Sequence, residues 1–411
     1  LTLLDPDIEP EFDDPMSTPS DAAAAERRQQ LELLRSSAAS FAAKESPPTR
    51  ARALRGKAPG FDLRFWSAIA GQGWTGLLAP ESAGGYGQGL TEMAEVAAAL
   101  VAQAAPEPLV PVVVFAGRLL EACGDSELAR SLLAELAEGR GLPAVAWQED
   151  ATGEASFDAL GGLAEPAAVC ASGQGRLRLS GRKQHVRPGA AATGYIVTAS
   201  SSEGLALVWL PAAAQGFERQ PVALADGGYA ARLDLHQADV PADHLLARGA
   251  VAQQALARAY DEALVLAAAE LASIAERMLS MTLDYLRTRK QFGKPIGSFQ
   301  SLQHRAVDMH IQQELGAAVV AEALAALDAG ADGVARAMLA ARAKARCSDA
   351  ALAIAREAVQ LHGAIGFTDE HDLGLYLQRA LVLSAWLGNA AVQRRRYAAL
   401  ARRHGAQGAT A

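Results

Sequence analysis

Basic charge is in short supply in this chain of 411 residues, which carries 38 Lys and Arg against 46 Asp and Glu, a net charge of −8. Nucleic-acid binders present a basic face or a basic total, so no nucleic-acid partner is expected. The arginines at 394–396 and 402–403 fall near the end of a helical stretch, where cations offset the helix dipole. Cysteine is scarcer still: Cys123, Cys170 and Cys347 lie far apart. Three scattered thiols make neither a disulfide framework nor a CxxC motif, and free thiols fit a reducing, cytoplasmic setting. No run approaches the ~18 apolar residues of a membrane-spanning helix. No basic segment leading into an apolar one opens the sequence, so neither a membrane anchor nor a secretory leader is expected. The eight histidines form no metal-binding pattern. GxxxxGK[ST] and GxSxG are missing, and Gly84-Gly-Tyr-Gly-Gln-Gly89 lacks the spacing and context of a dinucleotide fingerprint. No repeat of fixed period occurs.

What is present is apolar surface. Half of the residues are hydrophobic, enough for a large core, and the length suggests two or three domains. Residues 1–20 are acidic and Pro-rich and read as a tail, with Met16 an alternative start. Residues 21–140 are rich in Ala and Leu at helical spacing. The glycine-rich loop Ala79–Gly89 interrupts them, and Thr91 is the expected cap of the next helix. Residues 141–247 change character. Arg176–Ser180 and Ala231–His236 alternate, and Tyr195–Thr198 and Leu205–Leu210 are short apolar runs, which predicts a small antiparallel sheet or barrel. Residues 248–404 return to helical spacing over Val251–Thr288, Leu302–Gly330, Gly333–His362 and Leu373–Arg403, a four-helix bundle with a tail from 405. The fold class is α+β, mainly helical.

One segment concentrates chemistry at the end of the first bundle helix: Tyr285-Leu-Arg-Thr-Arg-Lys-Gln-Phe-Gly-Lys-Pro-Ile-Gly-Ser-Phe-Gln-Ser-Leu-Gln-His304. Gly293 and Pro295 break the helix, and Ser298 is the expected cap of the next. Arg287, Arg289 and Lys290 either neutralise the last carbonyls or hold a diphosphate, for which arginine offers planar paired donors.

The whole string resembles a signature of the acyl-CoA dehydrogenase family. Ala358-Val-Gln-Leu-His-Gly-Ala-Ile-Gly-Phe-Thr368 resembles the family's other C-terminal signature. Phe65-Trp-Ser-Ala-Ile-Ala-Gly-Gln-Gly-Trp-Thr-Gly-Leu-Leu-Ala-Pro80 with Gly84–Gly87 is similar to its N-terminal domain, and Ala238-Asp-Val-Pro-Ala-Asp243 to the end of its β domain. The resemblance spans roughly residues 25–404. It implies an N-terminal helical domain, a middle β domain and a C-terminal four-helix bundle. FAD would lie between the last two and reach a neighbouring subunit of a homo- or heterotetramer. It implies that Arg289 and Phe292 contact FAD with Gln291 nearby. Gln360 and Gly363 would meet the adenine end of a cofactor held mainly by another subunit, with Ala364 replacing a usual glycine. Trp147 and Glu149 fall where the flavin pyrimidine is contacted. His185 and Arg187 stand at about the places where a Trp and a Thr often flank the ring. A positive group there would favour reduced, anionic flavin.

The resemblance also implies the reaction: a carboxylate takes the Cα proton of an acyl-CoA while a hydride leaves Cβ for flavin N5, and an electron-transfer flavoprotein accepts the electrons. Such a base is desolvated, which raises its pKa. The family's usual Glu before a Gly-Thr is missing, because Leu387 precedes Gly388. A minority of members carry the Glu on the first bundle helix, where Asp261-Glu-Ala-Leu-Val-Leu266 makes Glu262 the candidate. Counted back from Arg289, Ala263 falls on that position, and a π-type turn would absorb the one-residue slip. Glu270 reads as packing or a polar contact. Two functions stay open: an active dehydrogenase of fatty or steroid acyl-CoAs using Glu262, or a subunit of a mixed tetramer that lacks its own base. Other flavin chemistry on a substrate that is not a CoA ester is a weaker third.

Overall fold

The computed structural model describes residues 19–150, 157–158, 161–331 and 333–408; the expected tail up to residue 18 lies outside them. The N-terminal part comprises α1 (Pro19–Glu45), α2 (Pro48–Leu54), α3 (Leu63–Gly71) and α4 (Leu90–Ala102), then a π-helical turn (Val110–Ala116) running into α5 (Gly117–Ala122), and α6 (Glu127–Ala137). Side-chain oxygens start two of these helices: Asp62 accepts from Arg64 N at 2.9 Å and Ser126 from Ala129 N at 3.3 Å. Thr91 is not the cap of α4. Asp328, from the bundle, accepts from Leu90 N at 2.8 Å and Thr91 N at 3.1 Å, while Glu92 accepts from Gly89 N at 3.0 Å.

The middle part is a sheet of β1 (Pro143–Ala146), β2 (Val169–Gly173), β3 (Arg176–Val186), β4 (Gly194–Ser201), β5 (Gly204–Pro211), β6 (Phe217–Ala223), β7 (Tyr229–Pro241) and β8 (Leu245–Arg248). The order is β6-β7-β3-β2-β4-β5-β8, with β1 beside β4. The sheet is mixed rather than purely antiparallel, because β1 runs parallel to β4 (Val145 opposite Ile196). Alternation sorts its side chains. Ile196, Leu207 and Trp209 join the core shared with the helices, whereas Tyr195, Val197, Val208 and Leu210 fill a separate core on the other face.

The C-terminal part is α7 (Gly249–Thr288), a hairpin of β9 (Lys290–Gln291) and β10 (Lys294–Pro295), α8 (Gln300–Asp328), α9 (Gly333–His362), α10 (Leu373–Ala385) and α11 (Ala390–Gly408). The expected fourth helix is thus two, broken at Trp386–Asn389, where Leu387 (φ 59°) and Gly388 (φ 87°) turn left-handed. Ser298 does not cap α8; its hydroxyl donates to Pro295 O at 2.8 Å, and Phe299 is the boundary residue. Helix continues past 405 to Gly408. The π-type turn expected between Glu262 and Arg289 is not there, since α7 is α-helical throughout; the π-helical turn lies in the N-terminal part instead.

Candidate functional site

Residues of the two C-terminal signature strings meet at one end of the bundle. Tyr285, near the end of α7, stacks on His362, the last residue of α9, with ring centroids 4.6 Å apart. Beyond it the chain makes a two-residue hairpin turn in which Phe292 (φ 52°) and Gly293 (φ 78°) are both left-handed, the geometry that suits hairpin twist. That turn holds Phe292 out into solvent, 89 % exposed. Arg289, Gln291, Gln360 and Gly363 are exposed at the same end, and Phe367 beside them is 82 % exposed. Cations, amides and aromatic edges open to solvent suit the diphosphate and adenine of a dinucleotide. These residues fit that half of FAD.

The other half would lie where the sheet meets the bundle. Among the described residues, the buried atoms His185 Nε2 and Arg187 Nη1 have no hydrogen-bond partner. The Arg187 guanidinium sits 5.4 Å from the centroid of the Trp386 ring, across the junction. A flat ring sandwiched between two groups needs about 7–8 Å, twice a 3.5–4.0 Å carbon contact. The isoalloxazine therefore does not fit between Arg187 and Trp386 as they stand. Burial pulls the Arg187 pKa down to about 10, helped by Arg379 and opposed by Asp226 and Glu270. Arg379 bonds Asp226 at 3.0 Å and lies 3.8 Å from Glu270. Burial raises the Glu270 pKa, with Arg379 opposing it.

Trp147 directly follows β1. Its ring lies 5.1 Å from Tyr260 of α7, and Phe115 (6.3 Å) and Phe157 (5.7 Å) close on the same tyrosine. Aromatic rings thus fill the space between β1, the π-helical turn and α7. The neighbouring Glu149 holds Lys183 Nζ at 2.5 Å and accepts from Ala167 N and Ala168 N. It binds the segment that lines a cleft of about 260 Å³ with Trp147, Thr198 and Leu256.

The adjacent acids Asp261 and Glu262 of α7 are both engaged. Glu262 Oε2 accepts from Arg118 Nε at 2.5 Å, and Oε1 from Arg258 Nε at 2.7 Å. Asp261 pairs with Arg336 at 3.0 Å and Arg396 at 2.7 Å. All four side-chain carboxylate oxygens are therefore taken by guanidinium groups. Leu387 occupies the turn after α10, and its carbonyl accepts from Tyr260 Oη at 2.5 Å and Gln393 Nε2 at 2.6 Å.

Reasoning from sequence missed Arg118, Arg336, Arg396 and Lys344. Only two signals were available. Arg258 precedes Glu262 by four residues, one helical turn. Lys344 falls in the buried series Ala337, Ala340, Ala341, Lys344, Ser348 and Ala351 of α9, where spacing calls for an apolar residue. Among the described residues no group of His, Cys, Asp and Glu could hold a metal, and no helix is long and apolar enough to cross a membrane.

Comparison with known proteins agrees with this architecture. Residues 28–140 match the model of the acyl-CoA dehydrogenase N-terminal domain, and residues 249–401 that of the C-terminal domain. Acyl-CoA dehydrogenase IpdE2 of Mycobacterium tuberculosis is 31% identical over 353 residues, 86% of this chain and 91% of that protein. The structure of a Tcur3481-Tcur3483 steroid acyl-CoA dehydrogenase variant superposes with a TM-score of 0.81 at 26% identity, covering 92% of this chain and 99% of that one. The ChsE4-ChsE5 complex of M. tuberculosis gives 0.80 at 26% identity, covering 89% and 95%. The chain belongs to the acyl-CoA dehydrogenase family, FAD-linked oxidoreductases that act on the CH–CH bond of acyl-CoA thioesters.

Proposed function

We propose that this chain is the base-deficient subunit of a heteromeric acyl-CoA dehydrogenase. It supplies the surface for the adenine and diphosphate of FAD through Arg289, Gln291, Phe292, Gln360 and Gly363. A homologous partner chain seats the flavin ring and carries the base. The observation that carries this reading is Glu262 held through both oxygens by Arg118 and Arg258. A general base must bring a lone pair within hydrogen-bond reach of the proton it removes. Here that would require breaking two charge-assisted bonds in a largely buried place. Leu387 offers no carboxylate, and Arg187, 5.4 Å from the Trp386 ring centroid, leaves no gap for a flat ring between the two. FAD held there would supply the hydride acceptor for Cβ, and the partner's carboxylate would take the Cα proton. This chain's part is to bind and orient the nucleotide end of the cofactor and to keep water from the junction with Trp147, Tyr260 and Phe115.

The substrate class we propose is a steroid-derived or similarly bulky acyl-CoA, supported by relatives whose names pair two chains or carry the word steroid. Electrons would pass to an electron-transfer flavoprotein. The test is anaerobic. The chain purified alone and supplied with FAD should show no bleaching of the visible flavin band with a panel of acyl-CoAs, whereas the complex with its partner should bleach. Bleaching by the lone chain that disappears in Glu262→Gln would overturn the proposal and make Glu262 the base.

A further inference from the structure

Lys344, in the middle of α9, is fully buried. Its Nζ donates to the carbonyls of Ser384 at 3.1 Å and Gly388 at 3.2 Å, and lies 3.4 Å from Ser348 Oγ. Burying a charge is costly, and most buried charges are repaid by an opposite charge. Here the acceptors are two main-chain carbonyls and a hydroxyl. Burial pulls the Lys344 pKa down to about 7, so the site tolerates an ammonium poorly and an apolar side chain would be easier to bury.

The two carbonyls belong to one turn. Ser384 O is among the last of α10, which the helix itself leaves unpaired, and Gly388 O closes the turn into α11. Between them, Leu387 O is held by Tyr260 Oη of α7 and Gln393 Nε2 of α11. Three helices thus grip successive points of a turn whose Leu387 is in a left-handed conformation that L-residues rarely adopt. The residue carried by that turn is Trp386, whose ring receives Arg187 from the end of β3.

We infer that Lys344 is a positioning residue: it fixes the 386–388 turn and, through Trp386, sets how closely the sheet and the bundle meet. This holds whether or not the chain carries its own base, so its test is separate from that of the proposed function.

The experiment is hydrogen–deuterium exchange, read by mass spectrometry on the protein as purified, with Lys344→Met and Lys344→Gln beside wild type. Met leaves both carbonyls without a donor; Gln keeps a neutral one. Exchange over residues 385–393 should rise about tenfold or more in Lys344→Met and less in Lys344→Gln, with the 337–351 stretch of α9 unchanged. The Trp emission should shift in Lys344→Met, and that shift should be lost when Trp386→Phe is added. Unchanged exchange, or an equal rise along α9 and α11, would overturn the inference. So would failure of both variants to fold, which would make Lys344 a purely structural residue.

Discussion

The Lys183 ammonium is paired with the Glu149 carboxylate, and that contact does more than balance charge. The lysine is fully buried while Glu149 is 23 % exposed, and burial still pulls the Lys183 pKa down to about 8. Removing one member of a buried pair costs roughly 3–5 kcal/mol. Because Glu149 keeps access to water, Glu149→Gln should fall near the lower end in urea denaturation. The pH dependence has a definite sign. The folded-state pKa lies below that of free lysine, about 10.4, so between the two the unfolded chain binds more protons and stability rises with pH. The stability of wild type relative to Lys183→Met should therefore grow from pH 7 to pH 9, and a difference that shrinks would remove burial of the charge as the cause. This pair was half legible. Strand alternation puts Lys183 on the inward face with Leu177 and Leu179, and Glu149 stood out within its string. Arg118 gave no sign, because it meets Glu262 across 144 residues of sequence.

Helices and strands were legible where a long periodic stretch decides them, and less so where a partner from elsewhere decides their ends. The bundle helices follow their apolar spacing. The start of α4 does not follow Thr91, because Asp328 lies 237 residues away and reaches its first amides. A carboxylate there pairs with unpaired N–H groups and with the positive end of the helix dipole. Asp328→Ala should cost about 1–2 kcal/mol, read as a lower urea midpoint, with Asp328→Asn between the two; an unchanged midpoint would mean that water replaces the carboxylate. The break between α10 and α11 had its signal in Gly388-Asn389. The spacing of apolar residues runs on across it, so periodicity alone joined the two helices. The missing π-turn in α7 is the converse case, an irregularity required by counting residues to Arg289 that the helix does not make.

At the scale of the whole chain, the family was legible because four separated strings lie in order along it, and the fold followed from the family and from periodicity together. Whether the chain completes a catalytic site by itself was not legible, because that depends on contacts between parts. Arg118 from the N-terminal part takes Glu262 on α7, and Arg187 from the sheet meets Trp386 from the bundle. The end of the bundle that suits adenine and diphosphate is open, whereas Arg187 and Trp386 stand too close together to take a flat ring between them. Two such chains together would offer two nucleotide ends and no ring site, so a homomer should hold no flavin. With a partner that has the ring site, each cofactor needs one chain of each kind. The complex should then carry half as many flavins as chains, measured from native mass and released FAD, while this chain alone stays colourless after reconstitution. Phe292→Ala in this chain should lower the flavin content of the complex, because its exposed ring would be packed against a cofactor seated in the neighbour. A yellow homomer with one flavin per chain would mean that Arg187 and Trp386 part to admit the ring.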